Sequence, residues 1–168
     1  MAKTLFICSG NVGRSQMAEG FYNHFTGQHN ASSAGTDSTT PARYEHPTKE
    51  IIQAMMEEGI DVSQQTVKTV AEQMVREAVR IFVMCKNEQC PGFLAHSEKI
   101  TYWSISDPYK MDLEGTRVVR DSIKAKVLSI LSNPPHANTE EHAPITSGYF
   151  ASGTHPLRQS PSSPLPQE

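Results

Sequence analysis

Apolar residues near the start of the chain first form a short run and then recur at helical spacing. The run Leu5-Phe6-Ile7 follows Lys3 and ends in a Gly-containing loop, which predicts a buried first strand. Met17, Phe21 and Phe25 then recur every four residues, so we expect one apolar helix face over residues 15–25. A strand that leads through a Gly-rich turn into a helix presents backbone N–H groups to an anion.

The alternation of apolar runs and helical patterns continues to about residue 133. We expect three further strands, at residues 30–34, 79–84 and 100–105, and three further helices, at 48–58, 66–78 and 118–131. Strands that alternate with helices predict an α/β fold with three layers, a parallel sheet of four strands covered by helices on both faces.

Beyond residue 133 the composition changes. Seven of the chain's 11 prolines fall in residues 134–168, and the apolar residues there are few and aperiodic. Such a segment buries too little apolar surface to offset its ordering entropy. We therefore expect a folded domain over residues 1–133 and a Pro/Ser-rich disordered tail over 134–168, with a partner-binding segment as the alternative for the tail.

Composition excludes several classes of function. The chain has 168 residues, 37% of them hydrophobic, and a formal net charge of −3, so neither a nucleic-acid binder nor a membrane-surface protein is expected. No apolar stretch is long enough to span a bilayer, and the N-terminal run is too short for a signal peptide, so we expect a cytoplasmic protein. An odd number of cysteines, three, argues against a structural disulfide framework.

The loop after the first strand carries the chemistry. Gly10 and Gly13 allow backbone conformations closed to most residues, and Asn11 tolerates the left-handed region, so the loop can curl its N–H groups toward one anion. Arg14 adds a planar fork of donors for two oxygens of a tetrahedral anion. The predicted oxyanion-binding residues are Ser9, Gly10, Asn11, Val12, Gly13, Arg14 and Ser15.

Cys8 stands at the strand end, under the positive end of the following helix. That position favours the thiolate, the nucleophilic form of cysteine, and the Ser15 hydroxyl is placed to donate a hydrogen bond to it. The alternative is an ordinary strand–helix turn that holds a buried cysteine, but the two glycines and Arg14 favour the catalytic interpretation.

This passage resembles the low-molecular-weight protein tyrosine phosphatase superfamily, which includes arsenate reductases that discharge through thioredoxin or another thiol. The resemblance covers about residues 3–133. Gln16 resembles the reductase branch, because phosphatases usually have proline there. The matching motifs are RSQMAEG at 14–20, SAGT at 33–36, GIDVS at 59–63, Asp107-Pro108 and Arg120-Asp121.

The resemblance implies a role for each matched residue. Cys8 is expected to be the nucleophile, Arg14 to hold the oxyanion and its transition state, and Asp107 to be the general acid. From the sequence alone, Asp107 is equally a turn residue before proline. In the resembling reductases a second cysteine attacks the arsenic adduct and a third resolves the first disulfide, and Cys85 and Cys90 match these two in order.

Several residues depart from the reductase pattern. Only four residues separate Cys85 from Cys90, fewer than in the reductases, and we expect this segment to refold before the two sulfurs meet. Some reductases bind potassium through residues that match Asn11 and Glu19 and an aspartate, but Lys68 stands at the aspartate's position. Its ammonium can replace the cation, so no metal and no cofactor are expected.

Other residues keep alternative functions open. Tyr109 after Asp107-Pro108 resembles phosphatases, in which such a tyrosine holds an aromatic substrate, and Tyr44 is a candidate for the same wall. Two cysteines with His96 nearby give only a weak signal for zinc.

The first hypothesis is a cytoplasmic arsenate reductase with a Cys8-Cys85-Cys90 relay and thioredoxin or a small thiol as reductant. The alternative is a phosphatase that hydrolyses phosphomonoesters through a Cys8 phosphoenzyme.

Overall fold

Strands and helices alternate along the chain in the computed structural model, which describes residues 3–85, 90–95 and 97–133. Their order is β1 Lys3–Cys8, α1 Arg14–Thr26, β2 Ala31–Gly35, α2 Lys49–Met56, α3 Glu72–Glu77, β3 Ala78–Val83, α4 Gly92–Ala95, β4 Ile100–Tyr102 and α5 Leu113–Ser132. A single 3₁₀ turn, Thr40–Ala42, lies between β2 and α2.

The four strands form one parallel sheet in the order β2-β1-β3-β4. Cys8 at the end of β1 pairs with Gly35 at the end of β2, and Val83 at the end of β3 pairs with Tyr102 at the end of β4. Because the strands are parallel, the segments that follow them all leave from the same edge of the sheet. The predicted fold class, including the number of strands, is confirmed.

Alternation of side chains along β1 divides the core into two clusters. Phe6 and Cys8 point into a cluster with residues of α1, α2 and α5, whereas Leu5 and Ile7 point into one with residues of α3 and α4. Every buried side chain of the two clusters is at most 9% exposed. The sheet is therefore covered by helices on both faces. Cys8 lies on the face covered by α1, the helix that follows the Cys8 loop.

One predicted helix is partly wrong. Of residues 66–78, only Glu72–Glu77 is helical, and the preceding residues run in extended form beside β2. The Gly35 N–H donates to the Lys68 carbonyl at 2.8 Å, and the Val70 N–H donates to the Gly35 carbonyl at 2.8 Å. The apolar spacing there fits a helix, but tertiary hydrogen bonds to the sheet edge take up the backbone groups that a helix needs.

The expected tail and its boundary stay predictions, since residues 134–168 lie outside the described part of the chain. Among the described residues, no helix is both long and apolar enough to cross a bilayer. The cytoplasmic location also stays a prediction.

Helices α2 and α5 are joined by a buried arginine. Arg120 of α5 is only 7% exposed. Its Nη1 donates to the Ala54 carbonyl and to Glu57 Oε2, both at 3.0 Å, and its Nε donates to Asp121 at 2.8 Å. Ala54 is in the last turn of α2, where carbonyls have no partner within the helix. Arg120 therefore caps α2 and fixes it against α5.

Replacement of Arg120 by alanine should lower the free energy of unfolding by about 1–3 kcal/mol, because a buried carbonyl loses its donor. Urea unfolding followed by the fluorescence of Trp103, the chain's single tryptophan, measures the change. Arg117→Ala is the control, since Arg117 binds Glu57 and Glu114 near the surface. The control should destabilise the protein clearly less. Equal losses of unfolding free energy in the two variants would show that the buried contact with Ala54 does not account for the destabilisation.

Candidate active site

A cleft of about 770 Å³ opens at the carboxyl edge of the sheet, above the end of β1. Of the predicted site residues, it is lined by Cys8, Ser9, Gly10, Val12, Gly13, Arg14 and Asp107. The segments after β2 and β4 supply the opposite walls, including Tyr44 and Tyr109. The structure thus brings together residues almost 100 positions apart in the sequence around one cysteine sulfur.

The floor of the cleft is the loop from Cys8 to Arg14, which turns at Asn11. Asn11 has a positive φ of 55°, in the left-handed region that the sequence predicted for it. Its backbone N–H points back into the loop and donates to Cys8 Sγ at 3.3 Å. The buried Cys8 sulfur also lies 3.0 Å from the Ser15 hydroxyl. The Asn11 N–H and the Ser15 hydroxyl thus converge on this sulfur.

The hydrogen of the Ser15 hydroxyl is directed by Asn11. Asn11 Nδ2 donates to Ser15 Oγ at 2.8 Å and to Ser33 Oγ at 2.9 Å. Because Ser15 Oγ accepts there, its own hydrogen is free to be donated to Cys8. Asn11 and Ser15 are both fully buried behind the loop and do not line the cleft. Their predicted oxyanion binding stays a prediction, and the contacts seen are to Cys8.

Arg14, the first residue of α1, is 7% exposed and is held by backbone carbonyls. Its Nη1 donates to the Met84 carbonyl at 2.6 Å and to the Ile105 carbonyl at 3.3 Å. These carbonyls lie just after β3 and β4, so the sheet itself fixes the guanidinium at the base of the cleft. Nη2 donates to Asp107 Oδ2 at 2.5 Å.

Asp107 is a turn residue whose side chain also reaches the cleft, and its role as the general acid stays a prediction. Its Oδ1 accepts a hydrogen bond from the Tyr109 N–H at 3.1 Å, the contact of a turn residue. Its side chain is nevertheless 54% exposed, paired with Arg14 and part of the cleft wall. The carboxyl group is therefore positioned by its turn within reach of an anion held by Arg14.

The segment after β2 supports the loop through its backbone. The Thr36 N–H donates to the Cys8 carbonyl at 3.0 Å, and the Asp37 N–H donates to the Ser9 carbonyl at 2.9 Å. A Cβ atom at Gly35 would lie 2.7 Å from the Ser9 oxygen and 3.0 Å from the Gly10 carbonyl carbon. Gly35 belongs to the SAGT motif at 33–36, but the motif alone does not explain the glycine. The close approach of the two backbones explains it, because there is no room for a Cβ atom.

A buried polar cluster lies behind Asn11 and includes Glu19 and Lys68, the residues compared above with the potassium site of some reductases. Ser33 Oγ donates to Glu19 Oε2 at 2.6 Å, and the Lys68 N–H donates to Asn11 Oδ1 at 2.9 Å. Burial raises the pKa of Glu19, whereas the Ser33 hydrogen bond and the Lys68 charge oppose the shift. Lys68 Nζ donates to the Thr66 carbonyl at 3.1 Å. Whether its ammonium replaces a cation stays a prediction.

Cys85 and Cys90 lie side by side, although neither lines the cleft. Their sulfurs are 3.8 Å apart and are not joined in a disulfide. The expectation that this segment must refold before the two sulfurs meet is wrong, since the sulfurs already lie in contact. Cys85 follows Met84, the residue whose carbonyl accepts a hydrogen bond from Arg14. His96, the third residue of the weak zinc signal, lies outside the described residues.

The thiol of Cys85 is perturbed by its surroundings. Burial, followed by the neighbouring Cys90, raises the pKa of Cys85 to about 12, and only a hydrogen bond with Thr36 acts in the opposite direction. Cys85 is therefore a thiol at neutral pH. Attack by its sulfur requires loss of the proton as the new bond forms.

The two tyrosines of the cleft wall interact with each other. A hydrogen bond with Tyr109 raises the pKa of the Tyr44 hydroxyl. Tyr44 follows β2 and Tyr109 follows β4, which are the two edge strands of the sheet. The contact between the two tyrosines therefore joins the two walls of the cleft. Lys110, the residue after Tyr109, adopts a positive φ of 67°, and its ammonium lies over the Tyr109 ring.

Comparison with known proteins finds a family match over most of the chain. Residues 3–140 match the family described as low molecular weight phosphotyrosine protein phosphatase. An arsenate reductase of Halalkalibacterium halodurans is 33% identical over 133 residues, which cover 73% of this chain and 89% of the relative. Arsenate reductase 2 of Staphylococcus saprophyticus is 32% identical over 133 residues, which cover 76% of this chain and 95% of the relative.

Solved structures of both kinds of enzyme share the fold. An arsenate reductase in its phosphate-binding state is 29% identical, with a TM-score of 0.67, and the match covers 79% of this chain and 98% of that chain. A low molecular weight protein tyrosine phosphatase from T. tengcongensis is 23% identical, with a TM-score of 0.68 and coverage of 79% and 99%. At that identity the second similarity shows the fold alone.

Replacement of Gly35 by alanine should displace the loop, because its new Cβ atom meets backbone that has no side-chain freedom to yield. We expect at least tenfold weaker binding of inorganic phosphate, measured by calorimetry. Gly92→Ala is the matched control, since a Cβ atom there meets nothing within 4 Å, and phosphate binding should be unchanged. Unchanged binding in Gly35→Ala would contradict the role assigned to this close approach.

Proposed function

Because the chain belongs to the low molecular weight phosphotyrosine protein phosphatase family of enzymes, we propose that it is a thiol-coupled arsenate reductase. The observation that carries the proposal is the pair of thiols, Cys85 and Cys90, 3.8 Å apart at the sheet edge that also presents Cys8. A hydrolase does not need this pair. A reductase needs two thiols beyond the nucleophile to pass on an oxidised sulfur.

The first step is capture of arsenate by the loop. Backbone N–H groups of the loop and the Arg14 guanidinium bind its oxygens, and the Cys8 thiolate attacks arsenic. A sulfur–arsenic bond forms, and one arsenic–oxygen bond breaks as that oxygen leaves as water. Asp107 Oδ2, now 2.5 Å from Arg14 Nη2, is close enough to the anion site to supply a proton to this oxygen.

The second step is the reduction. The Cys85 sulfur loses its proton and attacks Cys8 Sγ, so that a Cys8–Cys85 disulfide forms and the sulfur–arsenic bond breaks. The electron pair of that bond stays on arsenic, which is reduced from arsenate to arsenite, while the two thiols are oxidised. Cys90 then attacks Cys85, which forms the Cys85–Cys90 disulfide and returns Cys8 as a thiolate. Thioredoxin or a small dithiol reduces this disulfide and closes the cycle.

A second candidate function, phosphomonoester hydrolysis, is favoured by the Asp107–Arg14 pair and the Tyr44–Tyr109 wall of the cleft. In that reaction the Cys8 thiolate attacks phosphorus, the ester bond breaks, and Asp107 protonates the leaving oxygen. Water activated by the same carboxylate then hydrolyses the phosphoenzyme. This route makes no use of Cys85 or Cys90.

The two functions separate in a side-by-side assay of arsenate reduction and p-nitrophenyl phosphate hydrolysis. As a reductase, the wild type turns over arsenate with thioredoxin, and Cys90→Ser stops after about one arsenite per enzyme, because its first disulfide is not resolved. Cys8→Ser is the control that should abolish both activities. Full hydrolysis by Cys85→Ala and Cys90→Ala, without arsenate reduction by the wild type, would establish the phosphatase instead.

The pH dependence of the reduction follows from Cys85. A thiol with a pKa of about 12 is almost fully protonated near neutral pH. Its thiolate fraction therefore rises about tenfold with each unit by which the pH rises. Single-turnover release of arsenite at saturating arsenate should therefore rise about tenfold from pH 7.5 to 8.5 if the Cys85 attack limits the rate. Rapid-quench sampling measures it, with p-nitrophenyl phosphate hydrolysis as the reference reaction that does not use Cys85. A rate of arsenite release that is flat over this range would contradict attack by Cys85 as the limiting step.

A further inference from the structure

Gln16 is a polar side chain buried completely behind the cleft, in the first turn of α1. It does not line the cleft. Its Nε2 donates to the Asn11 carbonyl at 2.9 Å and to the Thr66 carbonyl at 3.0 Å, and lies 3.3 Å from Asn11 Oδ1. The amide therefore ties Asn11 to the extended segment that runs beside β2.

The other end of the same amide is unsatisfied. Gln16 Oε1 is buried and has no hydrogen-bond partner among the described residues. A buried carbonyl oxygen without a donor destabilises the folded state, so an apolar side chain of similar shape would be favoured here if packing were the only requirement. The hydrogen bond from Nε2 to Asn11 therefore explains why a polar side chain stands at this buried position.

Asn11 is the residue on which the nucleophile depends. It adopts the left-handed conformation, its N–H donates to Cys8 Sγ, and its amide orients the Ser15 hydroxyl beside the same sulfur. A non-glycine residue keeps a positive φ only where its surroundings hold it there. Two groups outside the loop bind Asn11 oxygens: Gln16 at the carbonyl and the Lys68 N–H at Oδ1.

We infer that Gln16 is a positioning residue that holds Asn11 in its left-handed conformation and so keeps two hydrogen-bond donors on the Cys8 sulfur. This inference rests on the proposed role of Cys8 as the nucleophile and applies equally to reduction and hydrolysis. Gln16 acts through Asn11, since the structure gives it no contact with the cleft or with Cys8.

The test is the pH profile of Cys8 alkylation in Gln16→Met, a substitution that keeps the length of the side chain and removes its donors. Iodoacetamide labelling of the full chain, with the Cys8 peptide quantified by mass spectrometry, gives the rate at each pH. We expect a rate at pH 7 at least tenfold lower than in the wild type and a profile displaced to higher pH, because fewer donors stabilise the thiolate.

Three comparisons make the result specific. Ile123→Ala, in the buried face of α5, should lower the melting temperature and leave the pH profile unchanged. In an Asn11→Gly background, Gln16→Met should add no further displacement, because glycine reaches a positive φ unaided. If Gln16→Met does not fold, Gln16→Leu replaces it, since its side chain likewise has no hydrogen to donate to either carbonyl.

A folded Gln16→Met protein with the wild-type profile would overturn the inference, and so would an undiminished effect in the Asn11→Gly background. Failure of the proposed role of Cys8 gives a different result: Cys8→Ser would then retain whichever of the two activities the wild type shows, whatever the profile of the Gln16 variants.

Discussion

The turn at Asn11 is the constraint on which the rest of the site depends. With φ at 55°, its N–H faces inward to Cys8 Sγ, and its side chain crosses behind the loop to Ser15 and Ser33. The conformation is held from outside by Gln16 and by the Lys68 N–H. The donors beside the Cys8 sulfur are thus themselves fixed by buried hydrogen bonds, before any oxyanion enters.

The sheet extends this constraint to the other groups of the cleft. Parallel strands place the segments after β1, β3 and β4 at one edge, so that Cys8, the Met84 carbonyl and the Ile105 carbonyl surround Arg14. Gly35 allows the segment after β2 to pack against the loop without an intervening Cβ atom. The proposed anion site is therefore built by the sheet edge as a whole, and the two candidate reactions share this first step.

The two candidate functions diverge at the fate of the Cys8 adduct. Asp107 lies in the cleft and serves the departure of oxygen in either reaction, whereas Cys85 and Cys90 lie outside it, beside the strand end that anchors Arg14. The 3.8 Å distance between their sulfurs makes the last intramolecular exchange local. Burial, followed by the neighbouring Cys90, raises the pKa of Cys85, so its thiol must lose a proton before or during the attack on Cys8.

Much of this was accessible from the sequence, and what was missed has a physical cause. Periodicity fixed the sheet, and the loop motif identified Cys8, Arg14 and the left-handed Asn11, because these depend on local chemistry. The helix expected from residue 66 was wrong because its backbone hydrogen bonds go to Gly35. The Cys85–Cys90 contact and the amide of Gln16 were missed since both depend on tertiary distances that no spacing encodes.

The central claim is that oxidation passes from Cys8 through Cys85 to Cys90. Its most direct test is to incubate the reduced protein with arsenate and no external thiol, quench with an alkylating agent, and map the cysteines by mass spectrometry. The proposed thiol relay predicts a Cys85–Cys90 disulfide, an alkylated Cys8 and one arsenite released per chain. Three alkylated cysteines and no arsenite would contradict it.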